Sequence, residues 1–343
     1  HFRSAESDPD SPYRDWFEFG EQFPGGVRTW WLAENLPELV MENPAVREYV
    51  YAGHDSIVRS YLRDGTDGWR LDVAVDTGFR YLEELTNAAH AEKPGSLVVG
   101  EIATYPREWF PSVDAVMNFA VREIVLETAN HRIAPQHALR MVDRLIREAD
   151  FEHILKSWIF LENHDTARLA TTVPDPAARR MAQVLQFTLP GAPNLYYGCE
   201  VGMAGGDDPE MRAPMRWDLV TPANPTLAWT RQLIDLHQSH RALRVGQFRT
   251  LTTDRLIGFE RYTDRIADSV FVLANPSSDE VTEWVQLPNS KLMNPFWMLD
   301  LLGDADLRLT NGLIRVTLPA DGFLVLAPEI HPEGGYSSYK RVQ

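Results

Sequence analysis

Three apolar segments of this sequence end in acids: Gly68-Trp69-Arg70-Leu71-Asp72, Val98-Val99-Gly100-Glu101, and Phe160-Leu161-Glu162-Asn163-His164-Asp165. Asp72 and Glu101 are 29 residues apart, and Glu101 and Asp165 are 64 apart. A closed barrel of eight β/α units has roughly 31 residues per unit. The acids therefore sit one unit and then about two units apart, and Ala115–Phe119 supplies the strand between the last two. Active sites of such barrels lie at the C-terminal ends of the strands, so all three acids are expected in one mouth. Carboxylates crowded together repel and shift one another's titration. Arg70, two residues before Asp72 and so on the same strand face, can compensate, and His164 can add hydrogen bonds. Chemistry that needs paired carboxylates is the cleavage of glycosidic bonds, with one acid as proton donor and the other as nucleophile. A single strand-end acid is more often just solvated; three at this spacing, with Arg and His alongside, favour the chemical reading.

The elements that must position these acids are legible in the pattern. From about residue 45 to 240, short apolar runs (Gly68–Ala74, Ser96–Val99, Ala115–Phe119, Ser157–Leu161, Asn194–Tyr197) alternate with helical stretches (Thr77–Ala91, Ala134–Ala149, Ala177–Thr188, Leu227–His240). That is a βαβα pattern with a parallel sheet or barrel. After about 245 the helices stop. Leu256–Tyr262, Ser269–Ala274, Val281–Leu287, Phe296–Leu302, Leu313–Leu318 and Gly322–Ala327 read as short strands of an appended antiparallel domain. The predicted organisation is a loop-rich segment 1–45, a catalytic barrel part 46–244 and a β-sandwich 245–343. With 343 residues, 44% apolar and 24% charged, the chain can bury a core of good size. Forty-nine acidic against 33 basic side chains give −16, which argues against nucleic acid or an anionic membrane surface as partner. No run of eighteen apolar residues predicts a membrane span. The one cysteine, Cys199, excludes an internal disulfide and a multi-cysteine zinc site, and fits cytoplasm or periplasm alike.

The three motifs resemble the alpha-amylase family of glycoside hydrolases. Its second, third and fourth conserved regions correspond to Gly68-Trp69-Arg70-Leu71-Asp72-Val73-Ala74, Val99-Gly100-Glu101-Ile102 and Glu162-Asn163-His164-Asp165-Thr166-Ala167-Arg168. Further matches are Leu36-Pro37-Glu38-Leu39, Tyr196-Tyr197-Gly198-Cys199-Glu200-Val201-Gly202-Met203 and Asp208-Pro209-Glu210-Met211-Arg212. The wording resembles cyclomaltodextrinases, neopullulanases and maltogenic amylases most, with oligo-1,6-glucosidases as neighbours. The resemblance implies a (β/α)8 TIM barrel followed by a β-sandwich. It implies a retaining hydrolase of α-1,4 or α-1,6 bonds in maltooligosaccharides, cyclodextrins or pullulan, with transglycosylation as the alternative. The family also holds non-catalytic amylase-like subunits, but those lack the acids and carry a membrane helix.

On that resemblance Asp72 corresponds to the nucleophile, Glu101 to the general acid/base and Asp165 to the stabiliser of the oxocarbenium-like transition state. Arg70 corresponds to the guanidinium that holds the nucleophile ionised and aimed. A retaining mechanism sets the two carboxyl groups about 5–5.5 Å apart. His164 and Arg212, with Asp208, correspond to sugar-binding groups, and Trp30 and Trp31 to substrate contacts. His1 corresponds to the histidine of the family's first conserved region, the rest of which is absent. The chain thus reads as N-terminally truncated, with barrel strands four to eight present and one to three missing, about 95 residues. An N-terminal piece is expected to complete the barrel, since open sheet edges are a liability. Relatives often dimerise through such a domain, which makes a homodimer a candidate state. No cofactor is required by the chemistry, and loss of the first region removes an asparagine usually linked to calcium.

Other residues read more plainly. The acidic loop Asp8, Asp10, Asp15 lacks the alternation of a calcium loop and reads as solvated. His54, His90, His131, His137, His153, His237, His240 and His331 show no metal-ligand spacing. Asn118 lines the mouth or holds structure, and Tyr105 and Trp109 follow Glu101 as candidate substrate contacts. Cys199 reads as a packed thiol.

Overall fold

A computed structural model of the chain describes residues 1–31, 33–330, 339, 341 and 342; His331 lies outside the described residues. It divides into two compact units, one comprising His1–Ile102 with Glu108–Val116, the other Ala103–Arg107 with Met117–Gln343.

In the first unit, β1 (Gly68–Leu71) and β2 (Leu97–Ile102) pair in parallel, from Gly68 opposite Leu97 to Leu71 opposite Gly100. The crossover between them is the helix Phe79–Glu92, which buries Leu82, Leu85, Thr86, Ala88 and Ala89 along one face. Gly68 is required where it stands, because a Cβ there would lie 2.1 Å from the Leu97 carbonyl oxygen. The segment before residue 45 is mostly irregular. Its turns are fixed by isolated bridges between Phe19 and Val27 and between Thr29 and Pro37. Its aromatics serve largely as core: Trp16 and Phe17 are buried with Ala5, Val27 and Val46, and Phe2, Tyr13 and Phe19 pack against them.

The chain passes into the second unit along β3 (Ala115–Asn118), followed by β4 (Trp158–Ile159) and β5 (Ala192–Pro193). There Met117 pairs with Trp158, and Trp158 and Ile159 pair with Ala192 and Pro193, all in parallel. The helices Pro135–Arg147, Pro176–Thr188 and Pro225–Ser239 each carry proline in the first turn, where its missing N–H costs nothing. Asp175 caps the second of them by accepting from the Ala177 and Ala178 N–H groups. The C-terminal part contributes β6 (Gln247–Thr250), β7 (Ile257–Tyr262), β8 (Val270–Ala274), β9 (Val281–Gln286), β10 (Phe296–Asp300), β11 (Asp306–Leu309), β12 (Leu313–Leu318) and β13 (Phe323–Pro328). They form a six-stranded antiparallel sheet, order β11-β10-β13-β8-β7-β6, and a two-stranded sheet, β12-β9. Phe271 and Leu273 of the larger sheet share one core with Val281, Val285, Ile314 and Val316 of the smaller. Among the described residues no helix is long and apolar enough to cross a membrane.

The alternation read from the sequence is present, with local corrections. The fifth parallel strand is Ala192–Pro193, not Asn194–Tyr197, because Tyr196 and Tyr197 leave the ladder to lie beneath the Arg168 guanidinium. Phe119 opens the helix Phe119–Ala129 rather than closing β3, and Asn118 is that helix's cap, accepting from the Val121 N–H at 3.1 Å. That assigns Asn118 to structure. β6, β11 and the helix Ile57–Arg63 are elements the pattern did not announce.

Candidate active site

Asp72 follows directly on β1, and Glu101 is the penultimate residue of β2. Since Leu71 is opposite Gly100, the next step of the register sets Asp72 level with Glu101 at the C-terminal end of the pair. Arg70 reaches both: Nη1 donates to Asp72 Oδ1, and Nη2 lies 3.0 Å from Glu101 Oε2. The Val73 N–H also donates to Glu101 Oε2, at 2.9 Å. That bond depends on an unusual backbone, because Val73 is in the left-handed region (φ 37°, ψ 49°), where a β-branched residue is strained. The two carboxylates differ in environment. The Asp72 side chain is 73% exposed, whereas Glu101 is 13% exposed. One is open to an incoming reactant and the other is shielded.

Asp72 borders a cleft of about 530 Å³ within the first unit, lined also by Trp30, Asp76, Leu36, Glu38 and Tyr81. Trp30 is held in its wall by a hydrogen bond from Nε1 to Asp76 Oδ2 at 2.8 Å. Arg28, in the same lining, is fixed between Glu18 and Glu38, each 2.7 Å away. Trp31 faces solvent at 80% exposure. His1 lies among rings, stacked on Trp16 (centroids 5.1 Å apart) and edge-on to Tyr13 and Tyr49. Trp109 packs on Phe79, with ring centroids 4.2 Å apart.

A second set of polar groups lies within the second unit. Asp165 accepts from Arg212 Nη2 at 2.6 Å through Oδ1, and its Oδ2 lies 2.9 Å from His164 Nε2. Arg212 Nε also lies 3.1 Å from Asp208. The loop is held from inside: Asn163 Oδ1 accepts from the Asp165 N–H, and Thr166 Oγ1 accepts from the Asn163 N–H. Beneath it sits a buried ion pair, Arg168 Nη1 to Glu162 Oε1 at 3.0 Å, with the side chains 0% and 2% exposed. Arg168 also donates to the Tyr197 carbonyl, and its guanidinium lies 4.2 Å from the Tyr196 ring centroid. Burial pushes the Glu162 carboxyl above its ordinary range, against the pull of the Leu169 N–H and Arg168. Burial likewise raises the Cys199 thiol well above its usual value, as suits a packed and unreactive group.

The structure thus gathers Arg70, Asp72 and Glu101 around one guanidinium, and His164, Asp165, Asp208 and Arg212 around another. Tyr105 is turned to a different task, donating to Glu148 at 2.7 Å. Sequence reasoning missed the Trp30–Asp76 bond, the Arg28 brace and the Glu162–Arg168 pair. Asp76 stands four residues after Asp72, and Glu162 and Arg168 flank the Asn163–Asp165 motif; proximity to the motifs was the available signal. Five of the histidines engage neighbours without converging: His54 with Asp55, His90 with Asp114, His131 with Asp321, and His237 and His240 with backbone carbonyls. Among the described residues no three His, Cys, Asp or Glu side chains converge as metal ligands, and Asp8 Oδ1 accepts from the Asp10 N–H in a local turn.

Residues 1–250 match the alpha-amylase catalytic domain model. Neopullulanase 2 of Thermoactinomyces vulgaris is 31% identical over 331 residues, 92% of this chain and 55% of that protein. A cyclomaltodextrinase of a Bacillus species is 32% identical over 278 residues, 77% of this chain and 49% of that protein. The chain spans about half the length of these curated relatives. Among solved structures, the ligand-free cyclic alpha-maltosyl-(1→6)-maltose hydrolase of Arthrobacter globiformis superposes with a TM-score of 0.80 at 26% identity, covering 96% of this chain and 72% of that one. A debranching enzyme from Nostoc punctiforme gives 0.81 at 26% identity, with coverages of 95% and 72%.

Proposed function

The chain belongs to the alpha-amylase family of glycoside hydrolases, with that family's TIM-barrel class of fold followed by antiparallel sheets, and on that premise we propose that it hydrolyses α-glucosidic bonds of short α-glucans with retention of configuration. Asp72 attacks the anomeric carbon while Glu101 delivers its proton to the departing glycosidic oxygen. The glucosyl group is then bonded to Asp72. Glu101, now a carboxylate, takes a proton from water; the water oxygen bonds to the anomeric carbon, and the bond to Asp72 breaks. Two inversions give net retention, and Glu101 ends protonated as it began.

The observation that carries this reading is the Arg70 guanidinium shared by Asp72 and Glu101 at the ends of adjacent parallel strands. It keeps the nucleophile aimed and restrains the acid without contributing a proton itself. Within the second unit Asp165, oriented by His164 and Arg212, offers a carboxylate suited to sugar hydroxyls. Trp30 offers a ring to the sugar bound in the cleft. The sequence needs no cofactor, since both proton transfers and the nucleophile come from carboxyl groups. The names of the relatives support maltooligosaccharides, cyclomaltodextrins and pullulan as first substrates to try.

Incubation with 5-fluoro-α-glucosyl fluoride, followed by peptide mass analysis, tests the covalent step, and proton NMR of the first-formed sugar tests the stereochemistry. The expected results are a glucosyl adduct on the peptide containing Asp72 and an α-anomer as first product. A β-anomer, or an adduct elsewhere, defeats the assignment.

A further inference from the structure

We propose that the outer face of the β9–β12 sheet is a second, non-catalytic α-glucan-binding site centred on Trp284. The choice of α-glucan as occupant rests on the function proposed above. On β9 the inward positions Val281 and Val285 are buried, while Thr282, Trp284 and Gln286 are exposed; on β12 Ile314, Val316 and Leu318 point in, and Leu313, Arg315 and Thr317 point out. Cross-strand register pairs the outward residues as Trp284 with Arg315, Thr282 with Thr317, and Gln286 with Leu313. The face therefore presents one large ring, 63% exposed, flanked by the hydrogen-bonding side chains of Thr282, Gln286, Arg315 and Thr317 and by the exposed Leu313. Thr282 and Thr317 share a hydrogen bond of 2.8 Å across the strands, which orders that flank. Glu283, the acid on this strand, is turned away and accepts from the Asp254 and Arg255 N–H groups, so the acid does not face a ligand.

The size of the face selects its occupant. Two strands of six residues give a surface of roughly 20 by 10 Å, about 200 Å². A specific protein–protein interface needs about 800 Å² on each partner. One indole with hydroxyl, amide and guanidinium groups at its rim suits instead an uncharged chain of sugar rings, whose C–H faces stack on an aromatic ring while their hydroxyls bond to the rim. A strand has no folding need for the indole as such, since other β-formers serve at an exposed position. Trp284→Thr therefore removes the ring while keeping strand propensity, and Trp284→Tyr keeps a ring.

Native electrophoresis through gels containing glycogen measures binding, and turnover of maltotriose by the same preparations measures the catalytic site. The wild-type chain is expected to be retarded by glycogen. Trp284→Thr is expected to raise the glycogen dissociation constant about tenfold, ~1.4 kcal/mol, while Trp284→Tyr stays within about twofold. Maltotriose turnover is expected to be equal in all three. Retardation of Trp284→Thr equal to wild type overturns the site, as does a wild type that turns over maltotriose without being retarded. Equal retardation by a β-linked glucan overturns the α-glucan assignment. A wild type inert toward every α-glucan but retarded through Trp284 counts against the hydrolase reading and leaves this site standing.

Discussion

Removal of either member of the Glu162–Arg168 pair is expected to unfold much more than the pair's own bond suggests. Both side chains are almost wholly buried, and each also serves a backbone group: Glu162 accepts from the Leu169 N–H, and Arg168 donates to the Tyr197 carbonyl. Glu162→Leu leaves a buried cation without its anion, and Arg168→Met leaves a buried anion without its cation; each costs ~3–5 kcal/mol. The double variant leaves no buried charge. It orphans two backbone groups at ~1–3 kcal/mol each, offset by the desolvation no longer incurred, so its net cost is ~2–4 kcal/mol. The sum of the single variants is ~6–10 kcal/mol, which makes the coupling at least ~2 kcal/mol. At ~2–4 °C per kcal/mol, each single variant lowers Tm by ~6–20 °C, and the double variant lowers it by far less than the two shifts added. Circular dichroism melts of the four proteins, at equal concentration and pH, measure the cycle. A double variant whose Tm shift equals the sum of the singles would refute the reasoning. The pH dependence has a definite sign. The folded-state value of Glu162 lies above the unfolded one because burial dominates. Its contribution to stability is therefore complete below the ordinary carboxylate range and is lost as pH rises through the raised value. Glu162→Gln removes that decline, which parallel melts across the acid range detect.

Other expectations concern the strand ends and the cleft. Arg70→Lys replaces a fork by a point charge that cannot serve Asp72 and Glu101 together; loss of ~3–4 kcal/mol of transition-state positioning lowers kcat/KM about 10²–10³-fold, and a drop under about tenfold contradicts the shared-guanidinium role. Val73→Gly relieves ~1–2 kcal/mol of left-handed strain and is expected to hold or raise Tm while lowering kcat, as the Glu101 restraint loosens; a fall in Tm with kcat intact contradicts it. Chelation of divalent ions is expected to leave Tm and maltotriose turnover unchanged, and a loss restored by calcium would show that donors beyond the acidic loop form a site.

How much was legible follows from what each residue needs. Asp72 and Glu101 could be placed at strand ends because the apolar runs before them have strand length and barrel spacing. Their common guanidinium could be inferred too, since Arg70 lies two residues before Asp72 on the same face. The handedness of Val73 could not, because nothing in a valine announces positive φ. The Trp30–Asp76 bond spans 46 residues and joins an irregular segment to a short helix, so no periodicity encodes it. The helix Phe119–Ala129 was hidden because its buried residues continue the apolar run of β3 without a break, apart from the Asn118 cap. β6 escaped for the opposite reason: Gln247-Phe248-Arg249-Thr250 is mostly polar, and its strand state comes from pairing with β7.

Arg261 gives the C-terminal part a place in the order of synthesis. This fully buried guanidinium donates to the carbonyls of Thr188, the last residue of a parallel-unit helix, and of Gly246, just beyond the helix Arg241–Val245. A helix end wants a cation at its unsatisfied carbonyls. The side chain that serves Thr188 is translated 73 residues after it, which at ribosomal rates is roughly 4–15 s. During that interval the Thr188 carbonyl lacks its Arg261 partner. The antiparallel strands thus act as a late fastener on the helix Pro176–Thr188, and a nascent chain halted before β7 carries Asp72, Glu101 and Asp165 without the clasp that closes this helix.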